Sequence, residues 1–355
     1  MNSEEFILKS ISPVDGRYRN KTSDLSDYFS EYALIKYRVY IEVKYFLELC
    51  DYPIKNLDSI SEKNRSDIMK IYDNFNIEDA KKIKIIENKI NHDVKAVEYY
   101  IKEKFNDLNL SKYKEFVHFG LTSQDINNTA LPLMIKDSLN NVILKSFTTL
   151  NENLNKISEE TVKIPMIART HGQPATPTTF GKEIKVFESR LKNQIESLSK
   201  IPNNGKFGGA SGNLNAHYAA FSQIDWDHFS DKFLIEIGLE RSKPTTQIEH
   251  YDNLAALFDN LKRINNIIID FNKDMWLYIS MDYFKQKIKK DEIGSSAMPH
   301  KVNPIDFENS EGNLGMANSI FNHLSSKLPI SRLQRDLTDS TVLRNIGVPM
   351  AHSIV

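Results

Sequence analysis

The sequence predicts an all-α protein, a bundle of long helices. Apolar residues recur at three- and four-residue steps through several long segments, the spacing that lays them on one face of a helix. Glycine is scarce, 13 in 355 residues against a typical usage of about 7%. The breakers that do occur are gathered: four glycines lie within 205–212, and prolines concentrate in 169–177 and 294–304. Helices this long bury their apolar faces side by side.

Taken in order, residues 28–49 carry Phe29, Tyr32, Ala33, Tyr37, Tyr40, Ile41, Tyr45 and Leu49 at helical spacing, and Pro53 ends that helix. Helices are expected over 62–75 and 77–90, the second opened by Asn76 as N-cap. From 123 to about 162 one long pattern begins with Thr122 and Asp125 as a capping box and is expected to kink at Pro132. A helix over 177–198 is expected with Thr176 as cap and Pro177 in its first turn, and another over 250–281. The breaks near 110 and 330 divide the chain into an N-terminal helical domain, 1–110, and a central long-helix domain, 111–355.

Composition excludes several classes of function. With 46 Lys+Arg against 47 Asp+Glu there is no global positive field for nucleic acid or an anionic membrane. A single cysteine, Cys50, forms no intrachain disulfide and no zinc framework, so a reducing, cytoplasmic setting is expected. The first twenty residues lack the apolar core of a signal peptide, and no apolar run reaches about 18 residues. Dinucleotide, P-loop, nucleophile-elbow and H-E-x-x-H motifs are missing. What remains is acid–base chemistry on an anionic small molecule, with no cofactor and no metal.

The irregular segments hold the candidates. In GSSAMPHKVNP, 294–304, Ser295 and Ser296 follow a glycine, with Lys301 and Asn303 behind them. A serine becomes a base only where donors and a cation stabilise its alkoxide; a polar turn is the alternative. RTHGQPATP places His171 between Arg169 and Gln173, outside any helix, where an imidazole can serve as acid or base or be held in a connection. Asn91, His92 and Asp93 stand at a helix start whose free N–H groups could face an anion, the alternative being that Asn91 or Asp93 merely caps the helix, and Thr122 with Ser123 offers the same choice. Arg332, Arg335, Ser340 and Arg344 surround a further helix start near Thr338, and guanidinium forks suit phosphate as readily as solvent. Arg17 and Tyr18 lie in an early turn.

Together, GSSAMPHKVNP, SPVDGRY, NHDVKAVEY, RTHGQPATP, TTQIE and QRDLTDSTVLRN resemble the fumarase/aspartase superfamily of lyases and, within it, the adenylosuccinate lyase family of bacterial purine biosynthesis. The resemblance implies an all-helical homotetramer whose active sites are shared between subunits. It also implies elimination of fumarate from adenylosuccinate, giving AMP, and from SAICAR, giving AICAR. Ser295 is then the base and His171 the acid, with His92 orienting His171 and meeting the substrate alongside Asn91 and Asp93. Lys301 and Asn303 stabilise the carbanion, and Thr122, Ser123 and Gln247 hold the succinyl group. Arg17, Tyr18, Asn309, Arg335, Ser340 and Arg344 hold the nucleotide. The family pattern continues past Val355, so a two-domain portion lacking a C-terminal helical domain is expected. Pro349 falls where a helix should be running. The alternatives are argininosuccinate lyase, fumarase, or an inactive helical oligomer that binds nucleotide.

Overall fold

The computed structural model describes residues 3–57, 60–287 and 302–355. Helix α1 (Glu31–Leu49) begins where the Ser30 hydroxyl accepts the Ala33 N–H at 3.1 Å. It is buried on most of its circumference and forms the centre of a first core. Around it pack α2 (Glu62–Asp73), α3 (Ile77–Ile90) and α4 (Asp93–Asp107). The expected cap of α3 is present, with Asn76 Oδ1 accepting from Glu78 N at 2.9 Å. Cys50 lies free and buried at the end of α1, and burial pushes its thiol up to about 12.

The long pattern that begins at Ser123 is two helices, α5 (Ser123–Ser138) and α6 (Leu144–Thr161), joined through a π-helical turn at Leu139–Ile143. Pro132 lies inside α5 and has no N–H to offer the Asn128 carbonyl four residues back. That carbonyl accepts the Lys206 N–H at 3.2 Å instead, while Pro132's own carbonyl accepts from Asn203 Nδ2 at 3.0 Å. A backbone group released by the proline is thus used to dock another segment.

Between α6 and the next helix the chain departs from the expected order. Strands β1 (Pro165–Thr170) and β2 (Gln173–Thr179) form an antiparallel hairpin with His171 and Gly172 at the turn, φ +54° and +73°. Positive φ at both central residues is what a two-residue hairpin turn of type I′ requires. The helix expected from Pro177 therefore starts later, as α7 (Phe180–Leu198), and its cap is Thr179, whose hydroxyl accepts from Lys182 N at 3.3 Å, in place of Thr176. Pro177 pairs opposite Ile167, tolerated because a two-stranded sheet consists of edge strands.

Then come β3 (Asn204–Gly205), α8 (Trp226–Glu236) and β4 (Glu240–Arg241), β3 and β4 pairing in parallel. Helices α9 (Asp252–Ser280) and α10 (Ile305–Lys327) lie against each other, and α9 against α7, which packs on α6. Phe258 stacks on Phe321 at 5.6 Å and Phe187 meets Phe271 edge-on at 5.6 Å within this second core. Short helices α11 (Thr338–Leu343) and α12 (Gly347–Ile354) follow. Pro349 is the third residue of α12, where a backbone N–H has no partner within the helix, so the ring costs no hydrogen bond. Helix α5 joins the two cores, giving Ile126, Ala130 and Leu133 to one and Leu131 and Ile135 to the other. Among the described residues no helix is long and apolar enough to cross a membrane.

Candidate active site

A cleft of about 580 Å³ opens between α1, the starts of α4 and α5, and α11. Asn91 ends α3 in the left-handed region, φ +53°, which turns the chain sharply into α4. The cap of α4 is His92, in place of Asn91 or Asp93: its Nδ1 accepts the Lys95 N–H at 3.1 Å. That bond commits one ring nitrogen and leaves Nε2 for a ligand. Asp93 Oδ2 accepts from Arg38 Nη2 at 2.7 Å and Arg344 Nη2 at 2.9 Å, and Oδ1 accepts the Val94 N–H at 2.8 Å. Burial pushes the Asp93 carboxyl up, but Arg38, the Val94 N–H and Arg344 outweigh it and hold it below the usual carboxylate range.

Arg38 escaped the sequence reading. It is buried in α1, where its Nε also donates to Asn127 Oδ1 at 2.9 Å, and it hides inside the helix's apolar repeat. A cation in the buried face of a helix was the available signal, since arginine is almost never fully buried unless paired.

The opposite wall carries Ser123, Gln124, Arg335, Ser340 and Arg344. With its amide oriented to accept, Gln124 meets the Arg335 guanidinium, Nη2 at 2.9 Å. Ser340 is anchored from behind: Asp339 Oδ1 accepts the Ser340 N–H at 2.7 Å, and Asp339 Oδ2 accepts from Tyr251 at 2.9 Å. Asn128 Nδ2 donates in turn to that tyrosine oxygen at 2.7 Å. The cleft is thus lined by three guanidinium groups, four hydroxyls and an imidazole beside the carboxylates of Glu31, Glu87 and Asp93, and its guanidinium groups and hydroxyls suit phosphate.

The remaining candidates stand elsewhere in the chain. Arg17, Tyr18 and Asn309 line a second cavity, of about 740 Å³, where Tyr18 donates to Asn309 Oδ1 at 2.8 Å and the Arg17 guanidinium lies 6.0 Å from the Tyr18 ring. Asn313 Nδ2 donates to the Asn309 carbonyl at 2.9 Å, and Asn313 Oδ1 lies 2.8 Å from Nδ1 of the buried His352. His171 is exposed at the hairpin tip, beside the Arg169 guanidinium, which bonds Gly172 O and Tyr283. Thr122 precedes α5 with its N–H on Asp125 Oδ2 at 2.8 Å, Gln247 Nε2 donates to Ala210 O at 3.0 Å, and Asn303 lies just before α10. Ser295 and Lys301 lie outside the described residues. Among the described residues no group of three or more His, Cys, Asp or Glu could hold a metal ion.

A lyase family model matches residues 16–319, and a second, for the adenylosuccinate lyase C-terminal region, matches 331–355. The chain is 57% identical to an adenylosuccinate lyase of Dictyostelium discoideum, over 98% of this chain and 76% of that one. It is 48% identical to one from Escherichia coli (strain K12), over 98% and 77%. This chain belongs to the adenylosuccinate lyase family. Adenylosuccinate lyase relatives at these identities do not favour the argininosuccinate lyase or fumarase alternatives. Among solved structures, a fumarate lyase from Mesorhizobium sp. BNC1 superposes with TM-score 0.72 at 19% identity, covering 94% of this chain and 72% of that one. A 3-carboxy-cis,cis-muconate lactonizing enzyme from Pseudomonas putida does so with TM-score 0.72 at 18% identity and the same coverage. At such identities these structures speak to the fold, and they place this adenylosuccinate lyase family member in the helical-bundle architecture that the spacing of its apolar residues predicts.

Proposed function

We propose that the chain eliminates fumarate from adenylosuccinate, giving AMP, and from SAICAR, giving AICAR, without a cofactor. The observation that carries this is the single cleft gathering Asn91, His92, Asp93, Ser123, Arg335, Ser340 and Arg344 from three distant stretches of sequence. Arg335, Arg344 and Ser340 hold phosphate there, and Asp93 accepts from hydroxyls of the nucleotide. Ser295 removes the proton from the succinyl carbon, and His171 protonates the departing nitrogen. The carbanion's charge falls on a carboxylate, which Lys301, Asn303, Thr122, Ser123 and Gln247 stabilise as it develops.

That the cleft and the Arg17–Tyr18–Asn309 cavity share no lining residue, and that His171 lines neither, supports an active site shared between subunits of a homotetramer, and the single cysteine supports a cytoplasmic setting. The test is fumarate release from adenylosuccinate by wild type, S295A and H171A, with helical content followed by circular dichroism and size by light scattering. Both variants should keep their fold and lose nearly all turnover. Unchanged turnover in either refutes its assigned role, and binding of AMP without turnover by the wild type would leave only a nucleotide-binding oligomer.

A further inference from the structure

The glycine-rich segment 205–212 takes no direct part in the chemistry proposed above, yet it encloses a charge pair in the interior. Lys206 and Asp125 are both fully buried, with Nζ 2.7 Å from Oδ1. Asp125 Oδ1 also accepts the N–H groups of Gly208 at 2.8 Å and Gly209 at 3.1 Å, and its Oδ2 takes Thr122 N–H at 2.8 Å. Lys206 Nζ donates as well to Gly209 O at 2.5 Å, and the Lys206 N–H holds the carbonyl that Pro132 leaves free on Asn128.

On its other side the segment meets the turn that carries Gln247. Gly212 has φ +79°, and a Cβ there would stand 2.2 Å from Thr245 O, so the two backbones lie directly against one another. Ala210 O accepts from Gln247 Nε2 at 3.0 Å, and Asn128 Oδ1 takes Glu249 N–H at 2.9 Å. Thr122 and Ser123 at the start of α5, and Gln247, thus rest on a common support whose geometry is set by one buried ion pair.

Burying two charges carries a desolvation cost that their mutual attraction need not recover, and well-packed apolar residues often stabilise a fold as well or better. What a carboxylate with four donors supplies is direction, because each bond constrains an angle as well as a distance.

We infer that Lys206 and Asp125 are positioning residues that fix Thr122, Ser123 and Gln247 relative to one another, and so set the geometry in which the succinyl carboxylate is held during elimination. This rests on the proposal that those three residues hold the succinyl group.

The experiment compares full-length wild type, K206M and K206R in turnover of adenylosuccinate and in inhibition by AMP, which lacks the succinyl group. In K206M kcat should fall roughly 100-fold, the cost of displacing a reacting group by about 1 Å. The inhibition constant of AMP should stay within about twofold, because Asp93 and Arg344 of the cleft are held by Arg38 and Glu31, outside the pair. K206R, which keeps the charge at a different reach, should fall between them. A normal kcat in K206M, or an AMP affinity that falls in step with kcat, overturns the inference, since general disruption weakens both. Should K206M fail to fold, the double variant K206M/D125N, which leaves no lone buried carboxylate, reads the same ratio. If only K206R folds, a wild-type kcat in it overturns the inference. T122A, S123A and Q247A separate the two levels of the argument. If they leave kcat and KM intact, the succinyl assignment fails; if they lower kcat and K206M does not, the positioning role alone fails.

Discussion

Acid stability should depend measurably on one histidine, His217, which is fully buried. Its Nε2 lies 2.9 Å from the Tyr45 oxygen, and Tyr45 donates its single proton to Phe119 O at 2.7 Å. Nε2 therefore carries the hydrogen and Nδ1 is bare, buried without a hydrogen-bond partner among the described residues. The rings of Trp226 and Phe119 stand 4.8 and 5.7 Å away, and Gly120 comes so near that a Cβ there would sit 2.7 Å from the imidazole. Protonating Nδ1 would place a charge and an unpaired N–H in this cage.

Burial accordingly lowers the pKa of His217 to about 4, with Asp125 opposing and the Lys206 charge assisting. Unfolded, the same residue titrates near 6.5. Between these values the unfolded chain binds a proton that the folded chain does not, so the folded state is at its full stability above 6.5 and loses stability as pH falls toward 4. At about 1.36 kcal/mol per pH unit, the loss amounts to roughly 3 kcal/mol.

The substitution His217→Gln retains an N–H donor for Tyr45 and cannot titrate. Urea unfolding at about pH 7.5 and about pH 4 should show wild type losing roughly 3 kcal/mol more than H217Q over that interval, other acid-sensitive groups cancelling in the difference. The His217 imidazole resonance should stay that of the neutral ring well below pH 6. A resonance titrating near 6.5, or equal losses in the two proteins, refutes the argument.

Two further outcomes follow from the site. Arg38→Met removes the more buried partner of Asp93 while Arg344 remains, so the destabilisation should lie at the low end of the range for breaking a buried pair, about 3 kcal/mol by urea unfolding at neutral pH; less than about 1 kcal/mol would mean that Arg344 suffices. Asn313→Ala cuts the link from His352 to Asn309 and should loosen the Tyr18–Asn309 pair, raising KM for adenylosuccinate about fivefold, the equivalent of one lost hydrogen bond, with kcat nearly unchanged; an unchanged KM in steady-state kinetics refutes that role.

The long helices were legible because their signal is local. Apolar residues at helical spacing, Asn76 as a cap and Thr122 with Asp125 at a helix start each depend only on neighbours within a turn or two. The same local signals misplaced the start of α7, since Thr176–Pro177 reads as a good helix opening unless residues 165–170 are known to pair with it. At the start of α4, Asn91 and Asp93 are the caps that residue type favours, and only the backbone conformation at Asn91 decides for His92.

Motif residues such as Arg335, Ser340 and Arg344 could be picked out by type and spacing, because they lie within a few residues of one another on one short segment. By itself, then, the sequence determined the helical class, most helix boundaries and the chemical character of the candidate residues. The tertiary structure decided which of them meet: Arg38 with Asp93 across 55 positions, Lys206 with Asp125 across 81, Tyr18 with Asn309 across 291. The physical reason is that helix formation is governed by bonds four residues apart. The pairing of buried charges and amides is governed by where whole helices pack, and no local spacing records that.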